Sequence, residues 1–155
     1  MASDPAIELV QEVLEELVTA FGVRADVEVT TDDGTITGTV HGPDLGIFIG
    51  RHGQTIDAIQ HLLYRFALRD RVLDEDERIV VDAEGYRARR ATALGKQATQ
   101  AAEQAVRSRR PVALDAMTAS ERKLVHEFLR DRGDIETYSE GEEPERRLIV
   151  APRGA

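Results

Sequence analysis

Cysteine is missing from all 155 residues. That excludes disulfides, thiolate metal sites and a cysteine nucleophile, and it suits a reducing cytosol. No apolar run approaches membrane-spanning length. The opening Met1-Ala2-Ser3-Asp4-Pro5 has no basic region followed by an apolar stretch, so no secretory signal is read and the expected location is cytoplasmic. The four histidines, His41, His52, His61 and His126, lack HExxH or comparable metal-ligand spacing, and no glycine loop ends in Gly-Lys-Ser/Thr. The carboxylates fall mainly in loops and on helix faces expected to be solvated. The chain is therefore expected to be no enzyme, with no catalytic residue, no metal and no cofactor. Lysine is scarce as well. Eighteen of the 20 basic residues are arginine, the type suited to bidentate phosphate contacts and base stacking.

Charge is abundant but unevenly placed. A net charge of −9 argues against indiscriminate coating of nucleic acid. Residues 1–40 hold one basic against nine acidic residues, and residues 74–85 one against six. Residues 41–73 hold four against three, residues 86–110 seven against one, and residues 111–155 seven against ten. Positive charge thus gathers around residues 41–73 and, above all, in residues 86–110.

Taken in order, Asp4-Pro5 reads as a helix N-cap with proline at the first helical position. Ile7, Val10, Val13, Leu14, Leu17, Val18 and Phe21 then form one stripe, which Gly22 ends. Val27 and Val29 alternate with polar residues, Asp33-Gly34 is a hairpin turn, and Thr35 to Val40 is a second strand with Ile36 inward. Leu45, Phe48 and Ile49 behind Pro43-Asp44 suggest a short helix, and Ile56, Ile59, Leu62, Leu63 and Phe66 a longer one. Arg78 to Asp82 is strand-like, giving the order α-β-β-α-α-β.

Between the two central helices lies Ile49-Gly50-Arg51-His52-Gly53-Gln54-Thr55. Two glycines around two polar residues at a helix start suit a backbone clamp for a sugar-phosphate chain. The helix directs unpaired N–H groups and its positive dipole end at a phosphate, and Arg51 adds a fixed charge. His52 suits a phosphate or sugar contact, because no carboxylate is fixed beside it by sequence. A groove formed partly by Ile47, Ile49 and Ile56 would receive the bases.

The run IGRHGQTIDAIQHL, in that order of elements, resembles a KH domain, whose GxxG loop clamps about four nucleotides. It resembles most of all the KH segment of the bacterial Jag family, RNA-binding proteins with a second, R-three-H domain. Residues 1–84 are expected to be the KH domain, with a boundary near Glu84-Gly85 and residues 85–155 as the second domain. The family's usual N-terminal Jag domain has no counterpart in these residues.

Tyr86 to Ser108 reads as a helix rich in alanine, with Arg87, Arg89 and Arg90 at its start and Arg107, Arg109 and Arg110 at its end. The dipole favours the second cluster but not the first, so Arg87, Arg89 and Arg90 are expected to contact phosphate. After Pro111 and a short strand at Val112-Ala113-Leu114, Thr118-Ala119-Ser120-Glu121 forms a capping box. The helix that follows is expected to bury Leu124, Val125, Phe128 and Leu129, while Arg122 and His126 project from one side. Ile135 to Tyr138 and Arg147 to Val150 read as strands joined across the acidic loop Glu140 to Glu145. The segment ERKLVH, Glu121 to His126, is similar to the R-three-H signature, although Ala116 stands where the family usually has proline before the methionine. The resemblance implies an α/β (α+β) protein of KH and R-three-H domains that binds single-stranded RNA, regulates genes post-transcriptionally and is linked to cell elongation and division. Both domains are expected to bind one strand jointly. A protein-interaction adaptor, pairing with a small KH-only protein or a second copy of itself, and a binder of single-stranded DNA are the rival readings. No membrane partner is expected.

Overall fold

Local signals in the sequence set the first helix. In the computed structural model, which describes residues 4–154, α1 runs over Pro5–Phe21. Met1-Ala2-Ser3, read above as part of a terminus without a secretory signal, lies outside the described residues. Asp4 caps α1 by accepting a hydrogen bond from the Ala6 amide at 2.9 Å, and Gly22 closes the helix in the left-handed conformation. Ala6, Val10, Leu14 and Val18 form the buried edge, one residue per turn.

The chain divides into two compact units, Met1–Arg87 and Ala88–Ala155. In the first, β1 (Asp26–Asp32) and β2 (Thr35–His41) form an antiparallel hairpin through Asp33 and Gly34, whose φ values are 44° and 72°. Two successive residues at positive φ match the twist of the strands they join. β3 (Arg78–Ala83) pairs in parallel with β2, so the sheet order is β1-β2-β3. A parallel pair needs a crossover, which α2 (Gly46–Ile49), a 3-10 turn at Arg51–Gly53 and α3 (Gln54–Asp70) supply. The order is α-β-β-α-α-β, as expected. At Gly38, in the middle of β2, an added Cβ would run into Leu14 and Val10, so the missing side chain lets α1 lie close on the sheet. Phe48 is fully buried and packs edge to face on Phe21, with ring centroids 5.8 Å apart. On α3, Ile56, Ile59, Leu63 and Ala67 are buried. Leu62, one of the apolar residues at helical spacing, is 42% exposed, because the buried positions follow a narrower stripe than the apolar residues do.

The second unit is built on α4 (Tyr86–Ser108), whose first two residues lie in the first unit. Leu94, Ala98, Ala101, Ala102 and Ala105 are its buried face. Four alanines on that face let a helix and its neighbours approach closely. The sheet has the order β4-β6-β5, from β4 (Val112–Ala113), β5 (Ile135–Glu140) and β6 (Arg147–Pro152), all antiparallel. α5 (Ala119–Leu129) opens with the expected capping box: Thr118 Oγ1 accepts from the Glu121 amide at 3.3 Å, and Glu121 accepts from the Thr118 amide at 3.2 Å. Its buried residues are Glu121, Arg122, Val125 and Leu129. Leu124 and Phe128, expected in the core, are 41% and 57% exposed. The helix is rotated so that a glutamate and an arginine with partners point inward and two apolar residues outward, which an apolar pattern alone cannot reveal. Among the described residues no helix is long and apolar enough to cross a membrane, and no cluster of His, Asp or Glu could hold a metal ion.

Candidate nucleic-acid interface

Two glycines define the loop between α2 and α3, for reasons that the backbone makes explicit. Gly50 has φ 74° and ψ 177°, a region almost confined to glycine, and Gly53 has φ 77° and ψ 13°. Space is restricted too. A Cβ at Gly50 would collide with the Thr55 side chain, and one at Gly53 would lie 2.9 Å from the Tyr86 ring. Both glycines thus let the loop lie against its own domain. Between them Arg51 is exposed, while His52 is half-buried and itself at positive φ, 54°.

α3 begins at Gln54 with no side chain capping its N-terminus. Its opening amides and dipole therefore face the loop without a built-in side-chain acceptor at the cap position. Gln54 is exposed, and Ile49 and Thr55 are half-buried at the two ends of the loop. Ile47 is 63% exposed on α2, whereas Ile56 is fully buried. Ile56 thus belongs to the core rather than to a groove wall: one residue further into α3, the helix has already turned its side chain inward.

The three arginines at the start of α4 have separate settings. Arg87 Nη1 pairs with Asp57 at 2.9 Å, its Nε donates to the Val81 carbonyl at 2.6 Å, and its Nη2 donates to Gln60 Oε1 at 3.1 Å. It thereby ties the first turns of α3 to β3. Arg90 donates from Nε to Glu121 Oε1 at 2.6 Å, and the same Glu121 closes the capping box of α5. These carboxylates offset the unfavourable dipole and give a local reason for cations in the opening turn. Phosphate is not needed to explain Arg87 and Arg90. Arg89 is exposed and also takes part in an interaction within the protein.

In the second unit Arg122 and His126 line one open concavity of about 380 Å³, as their spacing on α5 suggests. Their roles differ. Only 7% of Arg122 is exposed, and its Nη1 donates to the carbonyl of Met117 at 2.6 Å and, at the limit of 3.5 Å, to that of Arg146. Its Nη2 donates to the carboxylate of Glu143, which lies between β5 and β6. His126 is exposed, and its Nδ1 makes a short hydrogen bond with Thr137 Oγ1 on β5. Lys123 and the half-exposed Tyr138 line the same concavity, and sequence reasoning did not single them out. Lys123 stands inside the signature segment and was legible as a third cation on α5. Tyr138 was not, because β5 must first be placed beside α5.

This arrangement of GxxG loop, αββααβ order and second α/β unit can be compared with known families. The family described as KhpA/KhpB, KH domain matches residues 7–86, and the R-three-H domain matches residues 92–152. The chain belongs to the KhpA/KhpB KH-domain family. It is 32% identical over 152 residues to the RNA-binding protein KhpB of Lactiplantibacillus plantarum, covering 98% of this chain and 47% of the relative. It is 31% identical to the protein of that name in Clostridium symbiosum over 148 residues, covering 96% and 65%. For the Bacillus subtilis protein of that name the identity is 31% over 140 residues, covering 89% and 66%. The chain thus spans about half to two thirds of the length of these KhpB relatives. The KH and R-three-H organisation of an α/β protein holds along the chain.

Proposed function

We propose that the protein binds single-stranded RNA, with the GxxG loop as the primary clamp. The observation that carries this is the loop geometry: two glycines at positive φ hold Arg51 exposed beside an α3 N-terminus without a side-chain cap. Ile49, Gly50, Arg51, His52, Gly53, Gln54 and Thr55 form this contact surface. The relatives' description as RNA-binding proteins supports the same reading. Arg122 and His126 border a second contact surface, with Arg122 holding its floor and His126 and Lys123 facing the strand. Arg89 is the most exposed of the three arginines at the start of α4 and is the one best placed for a phosphate. Two binding units on one chain raise the effective concentration of the second once the first is engaged.

A cytoplasmic role in post-transcriptional regulation, tied to cell elongation and division, is the finer part of this proposal and rests on the family resemblance. The adaptor reading has its own support. Tyr64 and Leu68, one turn apart on α3, are 42% and 45% exposed and offer a small apolar surface for a second copy or a small KH-only protein. The two readings are compatible. Binding is tested by competing a labelled single strand with unlabelled single-stranded RNA, single-stranded DNA and a matched RNA duplex at one salt concentration. Single strands are expected to compete at least about tenfold better than duplex, because the clamp presents unstacked bases. Equal competition would reduce the interaction to charge attraction.

A further inference from the structure

Arg122, which lines the concavity beside α5, is already paired with an anion supplied by the protein itself. We propose that Glu143 is an internal competitor for RNA phosphate: its carboxylate occupies Arg122 until a bound single strand displaces it. This rests on reading the second unit as an RNA-binding surface.

Three observations carry it. First, the ion pair is asymmetric, with the Arg122 side chain 9% exposed and that of Glu143 58% exposed. The guanidinium is the buried partner and the carboxylate the accessible one, so an incoming anion meets the pair from the Glu143 side. Second, the guanidinium is anchored independently. Its Nη1 donates to the Met117 carbonyl at 2.6 Å, so departure of Glu143 leaves the head group in place. A buried guanidinium strongly disfavours having no anionic partner, whereas carboxylate and phosphate oxygens satisfy the same N–H donor. Exchange of one for the other is therefore the low-cost route, and simple opening is not. Third, Lys123 and His126 border the same concavity, so a phosphate arriving there meets further positive or hydrogen-bonding groups that Glu143 alone does not use.

Glu143 also sits among like charges, with Glu142 and Glu145 in the same connection between β5 and β6. Their mutual repulsion lowers the cost of moving the carboxylate away from the arginine. The consequence is selectivity. Isolated anions compete poorly with a tethered carboxylate, and a strand already held elsewhere on the chain competes well.

The test uses the full chain and a fluorescently labelled twelve-nucleotide oligouridylate, read by anisotropy over a salt series. Glu143→Gln keeps an oxygen that can accept from Arg122 but removes the competing charge; Glu142→Gln is the control for general loop charge, and Lys123→Ala probes the site itself. Each variant is also made in a chain carrying Arg51→Asp and His52→Asp, so that binding by the first unit does not mask the second. Thermal melting by circular dichroism verifies the fold. Glu143→Gln is expected to tighten binding about three- to tenfold, the scale of one charge-assisted contact, and Glu142→Gln less than about twofold. If Glu143→Gln binds no tighter than Glu142→Gln while Lys123→Ala weakens binding, the competitor role is overturned and the site stands. If none of these substitutions changes affinity in either background, the RNA-binding reading of this unit fails as well. Weaker binding by a folded Glu143→Gln would show that the carboxylate supports the site, which also overturns the proposal.

Discussion

Replacing Arg87 by methionine separates a structural arginine from a phosphate ligand. The substitution keeps most of the aliphatic stem and removes three interactions: the ion pair with Asp57 at 2.9 Å, the hydrogen bond to the Val81 carbonyl at 2.6 Å and the one to Gln60 at 3.1 Å. Both ion-pair partners are 31% exposed, so solvent screening limits that term to about 0.5–1 kcal/mol. The hydrogen bond from a charged donor to a partly buried carbonyl contributes about 1.5–2 kcal/mol. The expected loss is about 2–3 kcal/mol in the first unit. Hydrogen exchange read by mass spectrometry on peptides from α3 and β3 reports it. Amides that exchange through opening of the unit should accelerate about 30- to 140-fold, while second-unit amides that open independently should not change. Asp57→Asn should show non-additivity of about 0.5–1 kcal/mol in a double-mutant cycle. RNA affinity at a temperature where the variant is folded should stay within about twofold of the native protein, the scale of losing no direct phosphate contact. A variant with unchanged exchange but about tenfold weaker binding would refute this reasoning and return Arg87 to the phosphate.

Arg51→Asp with His52→Asp should abolish binding through the GxxG loop and leave the circular dichroism spectrum unchanged, because like charge is set against phosphate at an exposed turn. Retained affinity in a mobility-shift assay would sink the clamp. Gly50→Ala should destabilise the first unit by about 1–3 kcal/mol, since its φ of 74° with ψ of 177° is strained for alanine and Thr55 leaves no room; unchanged urea unfolding would contradict that. The Asp134 carboxyl is held below the ordinary carboxylate range by its hydrogen bond from Arg132 at 2.7 Å, against a smaller opposing effect of desolvation. Because the folded value is the lower one, any stability from this exposed pair is present above the unfolded pKa and lost as pH falls through the folded pKa. An NMR titration should show Asp134 protonating late, and Arg132→Gln should bring it back towards the ordinary range.

What the sequence made legible was whatever near neighbours decide. Asp4-Pro5 and Gly22 bound α1, Asp33-Gly34 turns the hairpin, and Thr118 with Glu121 starts α5 through contacts no more than four residues apart. The start of the GxxG loop belongs to the same class, because Gly50 is confined by Thr55, whereas Gly53 is confined by the distant Tyr86. The settings of three arginines and the rotation of α5 have one physical origin in partners that are remote in sequence. Arg87 meets Asp57, Arg90 meets Glu121, and Arg122 meets Glu143, at separations of twenty-one to thirty-one residues. Each pairing removes a reason for the arginine to face solvent, and the last two turn α5 so that Glu121 and Arg122 are buried while Leu124 and Phe128 are not. An apolar pattern locates a buried face only where polar side chains lack such partners. In a chain with this much arginine and glutamate, the ion pairs decide the rotation of a short helix. They also decide which cations remain available for phosphate. Charge segregation in residues 86–110 is therefore a weaker guide to the interface than the GxxG backbone, whose positive φ values at Gly50 and Gly53 call for glycine at both positions.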